Sequence, residues 1–275
     1  MDACRNLRSL ITVVALLLPV TGAFAQPAQK PFEPFSGQPG KDVVWVPTSQ
    51  ALVDKMLDMA KLAPTDIHMD LGSGDGRTVI TAAKRGTRST GIEYNPDMVE
   101  LSKANAVKAG VTDKTTFVKA DLFETDFSKA TVITLFLLPD INLKLRPKIL
   151  DLKPGTRIVS NTFTMGEWKD DETATVDESA GCSYYCTAHL WIVPAKVAGN
   201  WHSAQGDLTL KQDFQMLQGS LKSGANMLPV TNGKMRADQI SFTAGGADYS
   251  GRVNGNAIDG TVVAGGKTTK WSATR

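Results

Sequence analysis

One short stretch constrains the fold of this chain more than any other: Asp70-Leu71-Gly72-Ser73-Gly74-Asp75-Gly76-Arg77. It follows an apolar run, Ile67-His68-Met69, and opens a segment of helical character from Thr78 to Lys84. A strand, a glycine-rich turn and a helix in that order gather backbone N–H groups and a helix N-terminus around a nucleotide-type ligand. The glycines let the chain turn tightly and approach that ligand with no Cβ in the way. The spacing is G-x-G-x-G and departs from the G-x-G-x-x-G of most dinucleotide sites, which weighs against an NAD-dependent enzyme.

The first residues stand apart. Arg5 and Arg8 form a basic region, Leu10 to Val20 is an apolar run short for a bilayer span, and Ala23-Phe24-Ala25 supplies small residues for cleavage. Residues 1–25 therefore read as a signal peptide, with an uncleaved anchor as the alternative, and the protein is expected to be exported, periplasmic or secreted. After cleavage no membrane span is expected. The remaining chain of about 250 residues can form one large domain or two modest ones. With 30 basic and 28 acidic residues and no basic run, nothing argues for nucleic-acid binding. Cys4 belongs to the leader, leaving Cys182 and Cys186. Along one straight strand these lie about 13 Å apart, so a bridge needs a turn between them. Two unpaired thiols are the other reading.

Residues 26–46 are rich in Pro, Gly and polar side chains and read as an extended linker. From Gln50 to Leu62 the apolar residues share a helical face, with Thr48 or Ser49 as its cap. Strand and helix patterns then alternate: strand Ile67–Asp70, helix to Arg85, strand Ser89–Tyr94, helix Pro96–Ala109 stopped by Gly110, strand Thr116–Lys119. Ala130–Leu138 reads as a long central strand buried on both faces. Ile141–Leu152 reads as a helix that Pro147 bends or begins. Strand Thr156–Phe163 follows, then a hairpin of Thr173–Asp177 with Tyr184–Val193. This alternation implies an α/β unit over residues 47–195, an open, mostly parallel sheet with its ligand beyond the carboxyl ends of the strands.

Beyond Pro194 the helical period disappears. Residues 196–275 hold many glycines, short alternating runs such as Phe214–Leu221, and Asn-Gly pairs at Asn232-Gly233 and Asn254-Gly255 that signal hairpins. They predict a β-rich meander or small barrel, with few clustered titratable residues and hence an accessory role.

Residues from about Pro47 to Ala195 resemble a class I S-adenosylmethionine-dependent methyltransferase. The resemblance lies in Asp70–Arg77, Gly91-Ile92-Glu93-Tyr94-Asn95-Pro96, Phe117 to Leu122, Ala130–Leu143 and Leu152 to Ser160. Within that superfamily the chain is similar to the lysine methyltransferase branch, with the Dot-type enzymes and those that methylate the c-subunit of ATP synthase. The resemblance implies a Rossmann-like seven-stranded methyltransferase sheet, joined here to a small antiparallel β C-terminal domain. It implies S-adenosyl-L-methionine as cofactor, held by Asp70, Gly72, Ser73, Gly74, Gly76, Glu93, Asp121 and Leu122. Glu93 is placed to accept ribose hydroxyls, Asp121 to meet the adenine amino group with Leu122 near the ring, and Asp70 to orient the loop or accept from the cofactor's amino-acid end. The implied partner is a methyl acceptor, a protein lysine in the branch it resembles.

Catalytic groups are less legible. Leu138, Pro139, Asn161 and Trp168 are acceptor-pocket candidates, and Asp140 reads more readily as a helix N-cap than as a substrate contact. The Asn-Pro-Pro-Tyr motif of adenine- and glutamine-modifying relatives is missing after Leu138. His68, His189 and His202 are scattered without metal-ligand spacing, so no metal is expected. Trp45, Trp191 and Trp271 read as packing anchors. The competing reading is an exported, non-catalytic protein that binds S-adenosylmethionine or a nucleoside and uses its β-rich tail as an interaction module; the cytoplasmic origin of the cofactor motivates it.

Overall fold

A computed structural model describes residues Phe32–Arg275, so the expected signal peptide and the first part of the expected linker lie outside the described residues. The described part of that linker pairs β1 (Gln38–Pro39) with β2 (Val44–Trp45) in an antiparallel ribbon. Helix α1 (Gln50–Met59) follows, capped by Ser49, whose Oγ accepts from the Leu52 N–H at 3.3 Å. It stops short of Leu62 because Lys61 turns left-handed (φ 48°).

The sheet strands are β3 (Ile67–Leu71), β4 (Arg88–Glu93), β5 (Thr115–Lys119), β6 (Val132–Leu135), β7 (Arg157–Asn161), β8 (Glu172–Thr175) and β9 (Thr187–Ile192). They lie in the order β5-β4-β3-β6-β7-β9-β8. Strands β5, β4, β3, β6 and β7 pair in parallel, and β9 is inserted between β7 and the edge strand β8, antiparallel to both. This is the seven-stranded arrangement that the resemblance to class I methyltransferases implies. Helices α2 (Arg77–Lys84), α3 (Pro96–Ala109) and α4 (Pro139–Leu150) complete the crossovers. Asn95 caps α3, and Gly110 ends it at φ 69°.

The apolar run Ala130–Leu138 is not one strand. Only β6, fully buried, stays in the sheet, because Pro139 takes the first position of α4 with Leu138 as its N-cap. Phe136, Leu137 and Leu138 are thereby released to the end of the sheet. Asp140 is not the cap; it lies in the first turn, where its charge suits the helix dipole. Pro147 neither begins nor ends α4 but sits inside it, costing one main-chain hydrogen bond. Strand β7 ends at Asn161 rather than Phe163, since Thr162 is left-handed (φ 60°).

Eight antiparallel strands, β10 (Gly199–Ser203), β11 (Gly206–Asp213), β12 (Met216–Ser223), β13 (Asn226–Arg236), β14 (Gln239–Ala244), β15 (Ala247–Asn254), β16 (Ala257–Ala264) and β17 (Lys267–Thr274), close a barrel. Closure comes from β10 pairing with β17. Alternate residues fill the interior, among them Trp201, Leu208, Leu210, Met235, Ile258 and Trp271. Phe242 and Tyr249 stack at 4.7 Å with Trp271 edge-on to both. Asn254-Gly255 makes the expected turn between β15 and β16, but Asn232-Gly233 does not. That pair lies inside β13 at a register shift, a bulge with Asn232 at φ 53°, which bends the longest barrel strand. Phe214, expected in a strand, is instead a left-handed turn residue (φ 53°) whose ring leaves the barrel and stacks on Trp168 at 5.9 Å. The Arg146 guanidinium covers that ring at 5.2 Å, and Gln215 Nε2 donates to the Lys169 carbonyl at 2.8 Å. The barrel is thus packed against the sheet unit.

Candidate active site

The chain passes from β5 on one side of the sheet to β6 on the other, so the carboxyl ends of β3 and β6 diverge at a switch point. A cavity of about 490 Å³ opens there. Asp70, Gly72, Ser73, Gly74, Glu93, Asp121 and Leu122 all line it.

The glycine turn explains the geometry. Gly72 and Gly74 are left-handed (φ 80° and 53°), and the N–H groups of Gly72 and Ser73 both donate to the Ile92 carbonyl, at 2.9 and 3.0 Å. The loop is therefore pinned to the end of β4. Glu93 pins it again: Oε2 accepts from the Gly74 N–H and Oε1 from the Asn95 N–H, each at 2.9 Å. A Cβ at Gly74 would come within 2.5 Å of Trp45 Nε1, so only glycine leaves room for the indole at the rim. Gly76 does not line the cavity. It starts α2 at φ 82°, and a Cβ there would lie 2.8 Å from Phe117. The Ser73 hydroxyl packs over Gly91 and has no hydrogen-bond partner among the described residues.

Asp70 is buried at the floor. Thr134 Oγ1 donates to its Oδ1 at 2.5 Å and stands 2.9 Å from His68 Nε2; His68 Nδ1 stands 2.6 Å from Ser89 Oγ. Since the Thr134 proton goes to Asp70, the chain of donors runs Ser89 to His68 Nδ1, His68 Nε2–H to Thr134, and Thr134 to Asp70. Burial pushes Asp70 up to about 7, with the nearby Glu93 and Asp75 charges adding to it and the Thr134 bond opposing. The same burial pushes His68 down to about 3, so its ring is neutral and links Ser89 to Thr134 beneath Asp70.

Asp121 is held by Lys41, whose ammonium also lies 4.9 Å over the Tyr94 ring, and by the Phe123 N–H at 2.9 Å. The Lys41 contact, followed by that N–H, keeps the Asp121 carboxyl below its ordinary range. Arg77 pairs with Asp75 at 2.6 Å and donates to the Thr48 carbonyl at 2.7 Å. The strap carrying Lys41 and Trp45 has the composition of a linker, yet it forms one wall of the cavity. No local signal in Pro-, Gly- and Val-rich sequence marks such a wall. Its one large side chain, Trp45, serves the cavity rim rather than acting only as a packing anchor.

At the other end Phe136, Leu138, Phe163 and Tyr185 line the cavity. Of the acceptor-pocket candidates only Leu138 is there. Pro139 is taken up by the start of α4, and Asn161 is buried with its Nδ2 on Thr48 Oγ1 at 3.2 Å. Trp168 is wholly buried between Trp191 and Phe214 and is a core residue joining sheet to barrel. Tyr185 escapes sequence reasoning because it depends on a loop whose closure the spacing leaves open: Cys182 and Cys186 form a disulfide, with a turn bringing their Cα atoms to 5.7 Å. Among the described residues no cluster of His, Cys, Asp or Glu is arranged to hold a metal, and no helix is long and apolar enough to cross a membrane.

A seven-stranded sheet with an acid on the first strand's end, a glycine turn and an acid closing the next strand defines a nucleoside-cofactor transferase of the Rossmann-like class. A family model described as the ANTKMT methyltransferase domain matches residues 70–172. A protein-lysine N-methyltransferase of Saccharolobus islandicus (strain REY15A) is 44% identical over 154 residues, 55% of this chain and 94% of that protein. The Xenopus laevis lysine N-methyltransferase of the ATP synthase c-subunit is 34% identical over 46% of this chain, which spans 56% of that enzyme. A crystal structure of an RNA methyltransferase from Salinibacter ruber in complex with S-adenosyl-L-homocysteine shares 46% identity with a TM-score of 0.51, over 55% of this chain and 96% of that one. The chain belongs to the class I S-adenosylmethionine-dependent methyltransferases. Its branch is that of the ANTKMT and ATP synthase c-subunit lysine methyltransferases, with an added β-barrel.

Proposed function

We propose that this protein transfers the methyl group of S-adenosyl-L-methionine to a lysine amine of a protein. The observation that carries this reading is the cavity itself, continuous from Glu93 and Asp121 past Asp70 and Gly72 to an aromatic end. The residues fit the cofactor. Asp70 is a buried carboxylate near neutrality whose hydrogen-bond partner is a hydroxyl, so a cationic ligand amine would be well received. Glu93 spends one lone pair per oxygen on the loop and retains acceptors for a ribose diol. Gly72 would lose its approach to the cavity to any side chain, since a Cβ already meets Leu137 at 3.0 Å. Asp121 and Leu122 border the end suited to adenine. The lysine assignment is supported by the Saccharolobus and Xenopus relatives.

S-adenosylmethionine brings a methyl group on a sulfonium, so alignment of the acceptor carries much of the acceleration. The acceptor amine, with an ordinary pKa of about 10.4, must arrive without its proton. Phe136, Leu138, Phe163 and Tyr185 offer apolar and aromatic walls that desolvate it and favour the neutral form.

An RNA acceptor, suggested by the Salinibacter relative, suits the surface less well. Both cations lining the cavity, Lys41 and Arg77, are paired with carboxylates and are not free for phosphate. We also propose that the protein is exported: the leader-like N-terminus and the Cys182–Cys186 bridge suit an oxidising compartment. Incubating the protein with methyl-tritiated cofactor and an extract, then separating protein from RNA, tests the reading. Label in protein, released on hydrolysis as methyl-lysine, is expected; label confined to RNA, or none in either fraction, overturns it.

A further inference from the structure

Three rings meet at the acceptor end of the cavity, each delivered by a different element. Phe136 follows β6, Phe163 follows β7, and Tyr185 stands in the loop before β9. Phe136 and Phe163 stack at 6.1 Å with planes 22° apart. Tyr185 closes the third side, edge-on to Phe136 at 5.3 Å and tilted toward Phe163 at 6.2 Å. All three line the cavity that reaches Asp70 and Gly72. Rings packed this closely present one three-sided aromatic surface to the cavity, and such a surface suits an alkylammonium laid against it, by cation–π attraction while charged and by desolvation as it loses its proton.

The backbone around these rings is held in unfavourable conformations. Tyr185 is left-handed at φ 56° and Thr162, next to Phe163, at φ 60°. For a β-branched or bulky residue such values persist only where surrounding structure enforces them. The Thr162 N–H donates to the Thr187 carbonyl at 2.6 Å, tying the two segments together. The other constraint is the bridge. Cys182 is buried under α1 among Leu52, Met56 and Val176, and its disulfide to Cys186 closes a loop that leaves Ser183, Tyr184 and Tyr185 between the two sulfurs. Tyr184 points away and is 84% exposed, whereas its neighbour Tyr185 joins that surface.

We infer that the Cys182–Cys186 disulfide positions Tyr185 as the third wall of an acceptor channel, so that the grip of this channel on a lysine-type amine depends on the oxidation state of the bridge. The inference rests on the lysine reading above for the nature of the acceptor. Phe136 and Phe163 stand just beyond the ends of β6 and β7; Tyr185 is fixed by the loop, and an opened loop relaxes it toward ordinary φ. Reduction by a phosphine breaks the S–S bond: the phosphine gives two electrons and becomes its oxide, and water supplies the oxygen and the two thiol protons.

The chain has four tyrosines, so labelling with 3-fluorotyrosine gives a simple ¹⁹F spectrum in which the Tyr185→Phe variant identifies one line. The full chain, saturated with S-adenosylhomocysteine, is titrated with n-butyltrimethylammonium, a mimic of a methylated lysine side chain. The Tyr185 line of the oxidised protein is expected to shift saturably. Phosphine treatment, or the Cys182→Ala/Cys186→Ala pair, is expected to raise the probe Kd at least fivefold while calorimetric affinity for S-adenosylhomocysteine stays within twofold. Tyr185→Ala should weaken the probe equally, Tyr185→Phe should restore binding, and Tyr184→Ala should bind as wild type. Reduction of the folded wild type serves if the cysteine pair fails to fold. Equal probe affinity before and after reduction, or a Tyr185 line that the probe leaves unmoved, overturns the inference. Probe binding without methyl transfer to any lysine instead overturns the lysine reading and leaves the bridge's role standing.

Discussion

Asp70 and His68, alternate residues on β3, are driven in opposite directions by one cause, burial beneath the cavity. Asp70 is raised from 3.8 to about 7, so the stability it contributes is complete at low pH and is lost as pH rises from about 4 through 7. His68 is lowered from 6.5 to about 3, so its contribution is present above 6.5 and is lost as pH falls toward 3. Between about pH 4 and 6.5 the folded chain keeps one proton on Asp70 and the unfolded chain one on His68, and the two slopes cancel. Asp70→Asn removes one side of that balance. Its melting temperature relative to wild type should climb from pH 4.5 to 7.5 in thermal scans; a constant difference would show that Asp70 does not titrate in this range. Glu93 makes a second residue-scale prediction. Glu93→Ala strips the Gly74 and Asn95 N–H groups of their acceptor and removes the carboxylate proposed for the ribose. Charged hydrogen bonds of about 1.5–3 kcal/mol imply S-adenosylmethionine binding weakened about 10- to 100-fold by calorimetry, and an unchanged affinity would remove Glu93 from the site.

At the scale of elements, what the sequence declares and what it hides follow from the range of the forces involved. Asp70 to Arg77, Glu93 and the Asn95–Gly110 limits of α3 are local statements, made by backbone-specific glycines and caps, and they are legible. The run Ala130–Leu138 is apolar throughout, and hydropathy cannot tell the four residues paired in β6 from the three that leave to line the cavity. Pro147 is tolerated inside α4 through tertiary contacts that no local rule contains, among them Arg146 on Phe214 and Lys148 on Phe127 at 4.6 Å. Trp168 resembles a ligand wall in sequence for the same reason: large aromatic side chains serve core and pocket alike. Asn232-Gly233 reads as a turn because a bulge uses the same left-handed residue types. That bulge is testable. Asn232→Val places a β-branched residue at φ 53° and should destabilise the protein by about 1–3 kcal/mol in urea unfolding, whereas Asn232→Gly should be nearly neutral. Equal stability of the two variants would mean that the bulge imposes no left-handed conformation.

Across the molecule, the barrel and the sheet unit are joined by a small set of contacts centred on the Trp168–Phe214 stack, with Gln215 on Lys169 and the Ala195 N–H on the Ala237 carbonyl at 2.7 Å. Trp168→Ala empties a fully buried site and should cost about 3–5 kcal/mol in thermal or urea unfolding. Because Trp168 lies outside the cavity, the folded variant should keep its S-adenosylmethionine affinity; a selective loss of that affinity would place the indole in the site after all. The barrel interior is filled by its own side chains. Export would separate the enzyme from the compartment in which its cofactor is made, and acceptor and compartment are therefore best examined together. Quantitative mass spectrometry of methylated lysines, in the exported and cytoplasmic protein fractions of cells with and without this protein, does so directly. One or a few lysine sites in exported protein are expected to lose their methylation with the protein and to regain it with wild type but not with Glu93→Ala. Identical lysine methylation in both cell lines would contradict the lysine reading.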